Sequence, residues 1–120
     1  MLTIVDLSIG GIMKIKQYIV LRHGISPAVA TIGCSHGVLA AYLKWKDEAI
    51  VQDWVGGKYG PFYKVICQAR DDKEWEAIKK WPEGIQITES SLDNMCIAVV
   101  FKPFIWQKVS LFNELKLYGG

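Results

Sequence analysis

At 120 residues with 51% hydrophobic residues, the chain fits one domain and can build a core without a disulfide framework. Its three cysteines, widely spaced, supply neither paired disulfides nor a zinc-ligand set, and they point to reduced thiols in the cytoplasm. A formal net charge of +2 is too small to announce nucleic-acid binding from composition, though it leaves room for a local basic patch.

Residues 1–12, MLTIVDLSIGGI, are apolar but broken by Asp6 and by Gly10-Gly11, and fall short of the roughly 18 apolar residues of a membrane span. They read as a leader or flexible arm with no membrane anchor, and 13–120 as the domain. Gln17 to Arg22 is rich in β-branched and aromatic residues and predicts a first strand, with Arg22-His23-Gly24 turning into a helix.

That helix, Ser26 to Lys46, is the longest in the pattern. Ser26 is placed to cap it and Pro27 follows at the first helical position, where its missing N–H costs nothing. Val29, Ile32, Gly33, His36, Ala40 and Leu43 recur at three- and four-residue spacing, so they are expected to share the face that meets a sheet. Glycine inside a helix costs about 1 kcal/mol against alanine, and close approach to strands is the expected compensation at Gly33 and Gly37.

EAIVQDWVGG predicts a short helix with Ile50, Val51, Trp54 and Val55 on one face, ended by Gly56-Gly57. Phe62 to Ala69 alternates, which predicts a second strand burying Tyr63, Val65, Cys67 and Ala69. Asp71-Asp72 is placed to cap a helix whose inward stripe is Trp75, Ile78 and Trp81. Ile85 to Thr88 predicts a short third strand, Glu89 to Asn94 a polar turn, and CIAVVF, Cys96 to Phe101, a central strand. Phe104 to Tyr118 predicts a closing helix with Ile105, Val109, Phe112 and Leu115 inward. This order implies an α/β domain, a mixed sheet of about four strands flanked by helices.

Few residues carry chemistry. His36 suits either a general base or a helix histidine buried against the sheet and satisfied by a backbone carbonyl. Cys34 and Ser35 occupy consecutive helix positions, point in different directions and lack an orienting acid. The spacing of Cys34, His36, His23 and Cys96 does not suggest a metal site, and no cofactor is implied. Lys14, Lys16, Lys58, Lys64 and Arg70 read either as solvated surface or as phosphate contacts.

Three stretches resemble the type II peptidyl-tRNA hydrolase family. YIVLRHG running into GCSHGVLAAYLK is similar to the family's VVR entry and QCSHA signature. FYKVICQARDDKEWEAI is similar to its lysine-bearing strand and acid-capped helix, and NELKLYGG to its closing HLKLY. The resemblance runs over nearly everything after Met13 and implies a peptidyl-tRNA hydrolase II-like fold that hydrolyses the ester between peptide and tRNA. It also implies a homodimer, to which five tryptophans in a small core add weight. On this chain it implies His36, Glu89 and Thr88 as catalytic residues, and Arg22, Ser35, Ser90 and Lys64 as contacts to tRNA or peptidyl-tRNA. The family's lysine- and glycine-rich loop, however, is GISPAV here. Its Asp- and Thr-bearing segment reads QITESSLDNMC, where Thr88, Glu89, Ser90 and Ser91 are the polar replacements. Losing that electrostatic term implies weak catalysis, so the alternative is an inactive relative serving as a binding or dimeric module.

Overall fold

Strand β1 (Ile15–Leu21) is the axis of the computed structural model, which describes residues 14–60, 62–107 and 110–120. Every residue of β1 except Lys16 is buried, as a strand covered on both faces requires. It pairs in parallel with β2 (Tyr63–Gln68) and antiparallel with β4 (Met95–Phe101). Outside β4 lies β3 (Gly84–Glu89). Two short strands, β5 (Phe104–Ile105) and β6 (Lys116–Leu117), pair with the start of β1 and the end of β2. The expected mixed sheet is therefore present, with 6 strands in place of about four, in the order β3-β4-β1-β2-β6 with β5 against β1. CIAVVF is interior to it, as its continuous apolar run implied.

Helices α1 (Pro27–Trp45) and α2 (Ala49–Val55) join β1 to β2, and α3 (Asp72–Lys79) joins β2 to β3. Strand alternation divides the core in two. Ile19, Leu21 and Val100 pack with Ala30, Ala41, Trp45 and Val51 of α1 and α2. Tyr18, Val20, Val99 and Phe101 pack with Trp75 and Ile78 of α3. Leader residues 1–12 and Val109 lie outside the described residues. Among the described residues no helix is long and apolar enough to cross a membrane.

The α1 start follows its sequence signal: the Val29 amide donates to Ser26 Oγ at 3.2 Å, with Pro27 in the first turn. Its inward stripe does not. Ala30, Gly33, Gly37, Ala41 and Trp45 are the buried residues, so the helix is turned from the expected face, and Leu43 and His36 point to solvent. The reason is steric. A Cβ on Gly37 would stand 2.1 Å from Val100 Cγ2, and one on Gly33 would stand 3.2 Å from Ile97 Cδ1. The backbone rests so low on the sheet that only the smallest stripe fits beneath it. A bulge sharpens this contact: Ile87 faces Ala98 while Thr88 faces Cys96, leaving Ile97 as the extra residue, and both Ile97 and Ala98 join the α1 core.

Asp71 caps α3 as expected, its carboxylate accepting from the Glu74 amide at 2.8 Å. Among the described residues the expected closing helix is absent, and three pieces stand in its place. Phe104–Ile105 extends the sheet, Ser110 caps a single 3-10 turn (Leu111–Glu114), and Lys116–Leu117 pairs with β2. Phe112 and Leu115 still pack inward. The unpaired ends of β1 and β2 offer backbone partners, and a segment this rich in aromatic residues takes them in preference to a helix.

Candidate nucleic-acid interface

Among the described residues, no hydrogen bond or ion pair joins any of the seven residues assigned by resemblance to another. His36 is exposed on α1 and makes no hydrogen bond or ion pair among the described residues, which removes both the orienting partner of a base and the buried, carbonyl-satisfied alternative. Ser35 is exposed too, its hydroxyl donating back to the Thr31 carbonyl at 2.8 Å. Thr88 and Ser90 face solvent, and Glu89 accepts a short hydrogen bond from Ser91. Arg22 follows the last residue of β1, beside the end of β2, whereas Lys64 pairs with Gln17 near the start. About 17 Å of strand separates them at roughly 3.3 Å per residue.

Charges at the carboxyl end of β1 and β2 are matched. Arg22 Nη1 donates to the His23 carbonyl at 2.9 Å, and its Nη2 stands 3.9 Å from Asp72 Oδ1. His23 Nε2 lies 2.7 Å from the same carboxylate. Arg70 is held between Glu74 Oε2 at 2.7 Å and the Glu114 carbonyl at 2.8 Å. Sequence reasoning missed the His23–Asp72 contact; the strand-end RHG turn and the DD cap are its only local signals.

The amino end is different. Four of the five cations suspected of touching phosphate gather there, each over an aromatic ring. Lys14 Nζ lies 5.2 Å from the Tyr63 centroid, Lys16 Nζ 4.2 Å from Trp106, and Lys58 Nζ 5.3 Å from Tyr59. Lys64 Nζ lies 3.5 Å from Phe62 and 5.5 Å from Trp54. The register joins Lys14 and Lys16 into one surface: Lys16 pairs with Tyr63 across the parallel strands, and the Trp106 amide donates to the Lys14 carbonyl at 2.8 Å. Lys64, the register partner of Gln17, lies by strand alternation on the opposite face of the same strand ends, where Trp54 Nε1 donates to the Tyr63 carbonyl at 2.9 Å. Lys58 is 3.8 Å from Asp53, but among the described residues Lys14, Lys16 and Lys64 have no carboxylate partner. Burial pushes the Lys16 ammonium below its usual range, and the Lys14 charge pushes it the same way. Burial also lowers Lys64. A bound anion would relieve both effects. Each ring holds its ammonium with about 0.5–1 kcal/mol, enough to orient a long side chain without neutralising it.

Other chemistry is weakly supplied. Burial pushes the Cys34 and Cys96 thiols up, and burial followed by the Glu74 charge takes Cys67 to about 11. At neutral pH these are protonated thiols, poor nucleophiles. Among the described residues no three His, Cys, Asp or Glu side chains come together as a metal site would need. No protein-family model matches this chain, and no curated protein matches it significantly.

Proposed function

We propose that this domain is a relative of the type II peptidyl-tRNA hydrolases that binds single-stranded RNA, the acceptor end of tRNA or peptidyl-tRNA above all, and hydrolyses the peptidyl ester slowly. The lysine and aromatic surface at the amino end of β1 and β2 carries this reading. Phosphates supply the anions that Lys14, Lys16 and Lys64 lack, and stacked rings suit unpaired bases. Slow chemistry is inferred from His36, which has no orienting partner, and from the sequence GISPAV where the family's lysine loop would stand. Titration of labelled tRNA tests binding: affinity is expected to fall steeply between low and physiological salt, about 0.7 log units per log of salt for each phosphate on a single strand. Absence of binding at low salt defeats the reading. With peptidyl-tRNA as substrate, His36→Ala and Glu89→Gln are expected to leave the slow release unchanged. A drop of roughly 10²-fold in either variant would restore a positioned acid or base.

A homodimer is favoured by one further observation. Leu39 and Leu43, one turn apart on the outer face of α1, are each 59% exposed, an apolar pair that a second copy would cover. The surplus of tryptophans argues less for it, since Trp45, Trp54 and Trp75 are buried in this chain. Light scattering that gives the monomer mass at tens of micromolar would remove it.

A further inference from the structure

On the face of the sheet that carries Lys16, a cavity of about 350 Å³ is walled by Trp81, Phe101, Phe104 and Phe112, with Glu83 and Lys102 among its lining. Its rings are already arranged around an open space. Phe112 meets Trp81 edge-on, with centroids 5.1 Å apart at 85°, and meets Phe101 at 4.9 Å and 76°. Phe104 lies 5.4 Å from the same ring. The volume falls within the range of about 300–1,000 Å³ usual for small-molecule sites.

Two features identify the occupant. The first is position. Phe104 is the register partner of Lys16, so the cavity wall and the lysine surface stand side by side on strands about 5 Å apart. Trp106, two residues on, is the ring under Lys16. The second is polarity. Lys102 Nζ is shared between Glu83 Oε2 at 2.6 Å and Glu48 Oε1 at 2.9 Å, and the Glu83 hydrogen bond, then that of Glu48, holds its ammonium above the usual range. The polar members of an otherwise apolar, aromatic cavity are thus an ion pair whose Glu83 carboxylate, 59% exposed, has acceptor capacity beyond Lys102. A planar ring with a donor along one edge fits that combination, whereas an aliphatic side chain would make no use of the acceptor.

We propose that this cavity holds one unpaired nucleobase of the RNA strand seated on the lysine surface, stacked among the rings with its polar edge toward Glu83 and Lys102. This inference rests on the RNA-binding reading and adds to it: lysines hold the backbone, and the cavity takes a base that has left the stack. Lys102 keeps Glu48 when Glu83 turns to the base.

The two readings separate in one experiment on the full chain, using fluorescence anisotropy of a short labelled RNA and of the same strand carrying one abasic ribose at successive positions. At one position the abasic strand is expected to bind about tenfold more weakly, the order of one base stacked on an aromatic side chain. Trp81→Ala should erase that difference by weakening the intact strand alone, while Trp81→Phe retains most of it. Intact and abasic strands binding wild type equally at every position would overturn the base pocket and leave RNA binding standing. Equal weakening of both strands by Trp81→Ala would also overturn it. Failure of either strand to bind at low salt removes both readings. N-acetyl-tryptophanamide that fills the cavity, reported by quenching lost in Trp81→Phe, without competing with RNA would assign the cavity to a peptide side chain instead.

Discussion

The two ends of the parallel pair β1–β2 carry similar numbers of cations and use them in opposite ways. At the carboxyl end Arg22, His23 and Arg70 are spent on Asp72, Glu74 and backbone carbonyls, and the result is a cross-braced corner that holds α3 against the strand ends. At the amino end Lys14, Lys16 and Lys64 lie on aromatic rings with no carboxylate partner among the described residues, Lys64 also donating to the Phe62 carbonyl at 3.2 Å. Carboxylate partners fix a cation and lower its appeal to an external anion; rings and a neutral carbonyl fix it and leave its charge available. Open α/β sheets usually bind ligands beyond the carboxyl ends of their strands. Here the free charge sits at the other end.

The sharpest test of that contrast is charge reversal. Lys14→Glu with Lys16→Glu is expected to lower RNA affinity by roughly 10²-fold at about 0.1 M salt and to flatten the salt dependence, measured by anisotropy. Arg70→Glu should lower affinity far less, and an equal loss from it would erase the distinction between the ends. At the braced end the effect belongs to folding. Asp71→Ala removes the carboxylate that caps α3 and is expected to lose about 1 kcal/mol in urea unfolding with RNA affinity unchanged.

Alkaline titration gives a smaller signal with a definite sign. On the proposed reading RNA binds the protonated lysines, so the coupling is complete below their pKa and is lost as pH rises through it. Since Lys16 and Lys64 are both lowered from 10.5, affinity is expected to begin falling below pH 10.5, and no loss until well above that value would contradict the desolvated setting. The smallest change is Asp72→Asn. Asp72 is 83% exposed, and an ion pair that open to water is worth about 0.5 kcal/mol or less. A larger loss in chemical denaturation would mean that the corner depends on the His23 contact more than its exposure allows.

What could be read from the sequence followed the range of the interaction that decided it. Ser26 and Asp71 cap helices through atoms three residues away, and the alternation of β2 needs only a covered face, so these features were legible. The face of α1 was not. Val29, Ile32 and Leu43 make as good a stripe on paper as Ala30, Gly37 and Ala41, and Val100, far along the chain, decided between them by standing under Gly37. The closing segment misled for a related reason, because apolar residues at helical spacing also suit a capped 3-10 turn flanked by two edge pairings. Site residues show the same pattern. The lysines were visible one by one, but their union needs Lys16 beside Tyr63 and Trp106, which only the register of β1 against β2 and β5 supplies. The roles given by resemblance to His36 and Glu89 draw on sequence alone, whereas the rotation of α1 and the Glu89–Ser91 hydrogen bond depend on the folded chain.

One feature of β2 bears on how the protein survives in a crowded solution. Among the described residues its outer edge is covered by β6 only at Cys67 and Gln68, while the Tyr63 and Ile66 carbonyls are taken by Trp54 and Tyr118. Between them lies a short stretch of open strand flanked by exposed Phe62 and Ile66, the kind of edge on which chains stack into aggregates. Lys64 sits in the middle of it, and a lysine there disfavours a second strand from docking. A residue proposed to attract a polyanion would therefore also keep copies of the chain apart, and replacing it with an apolar side chain is expected to lower solubility together with RNA affinity.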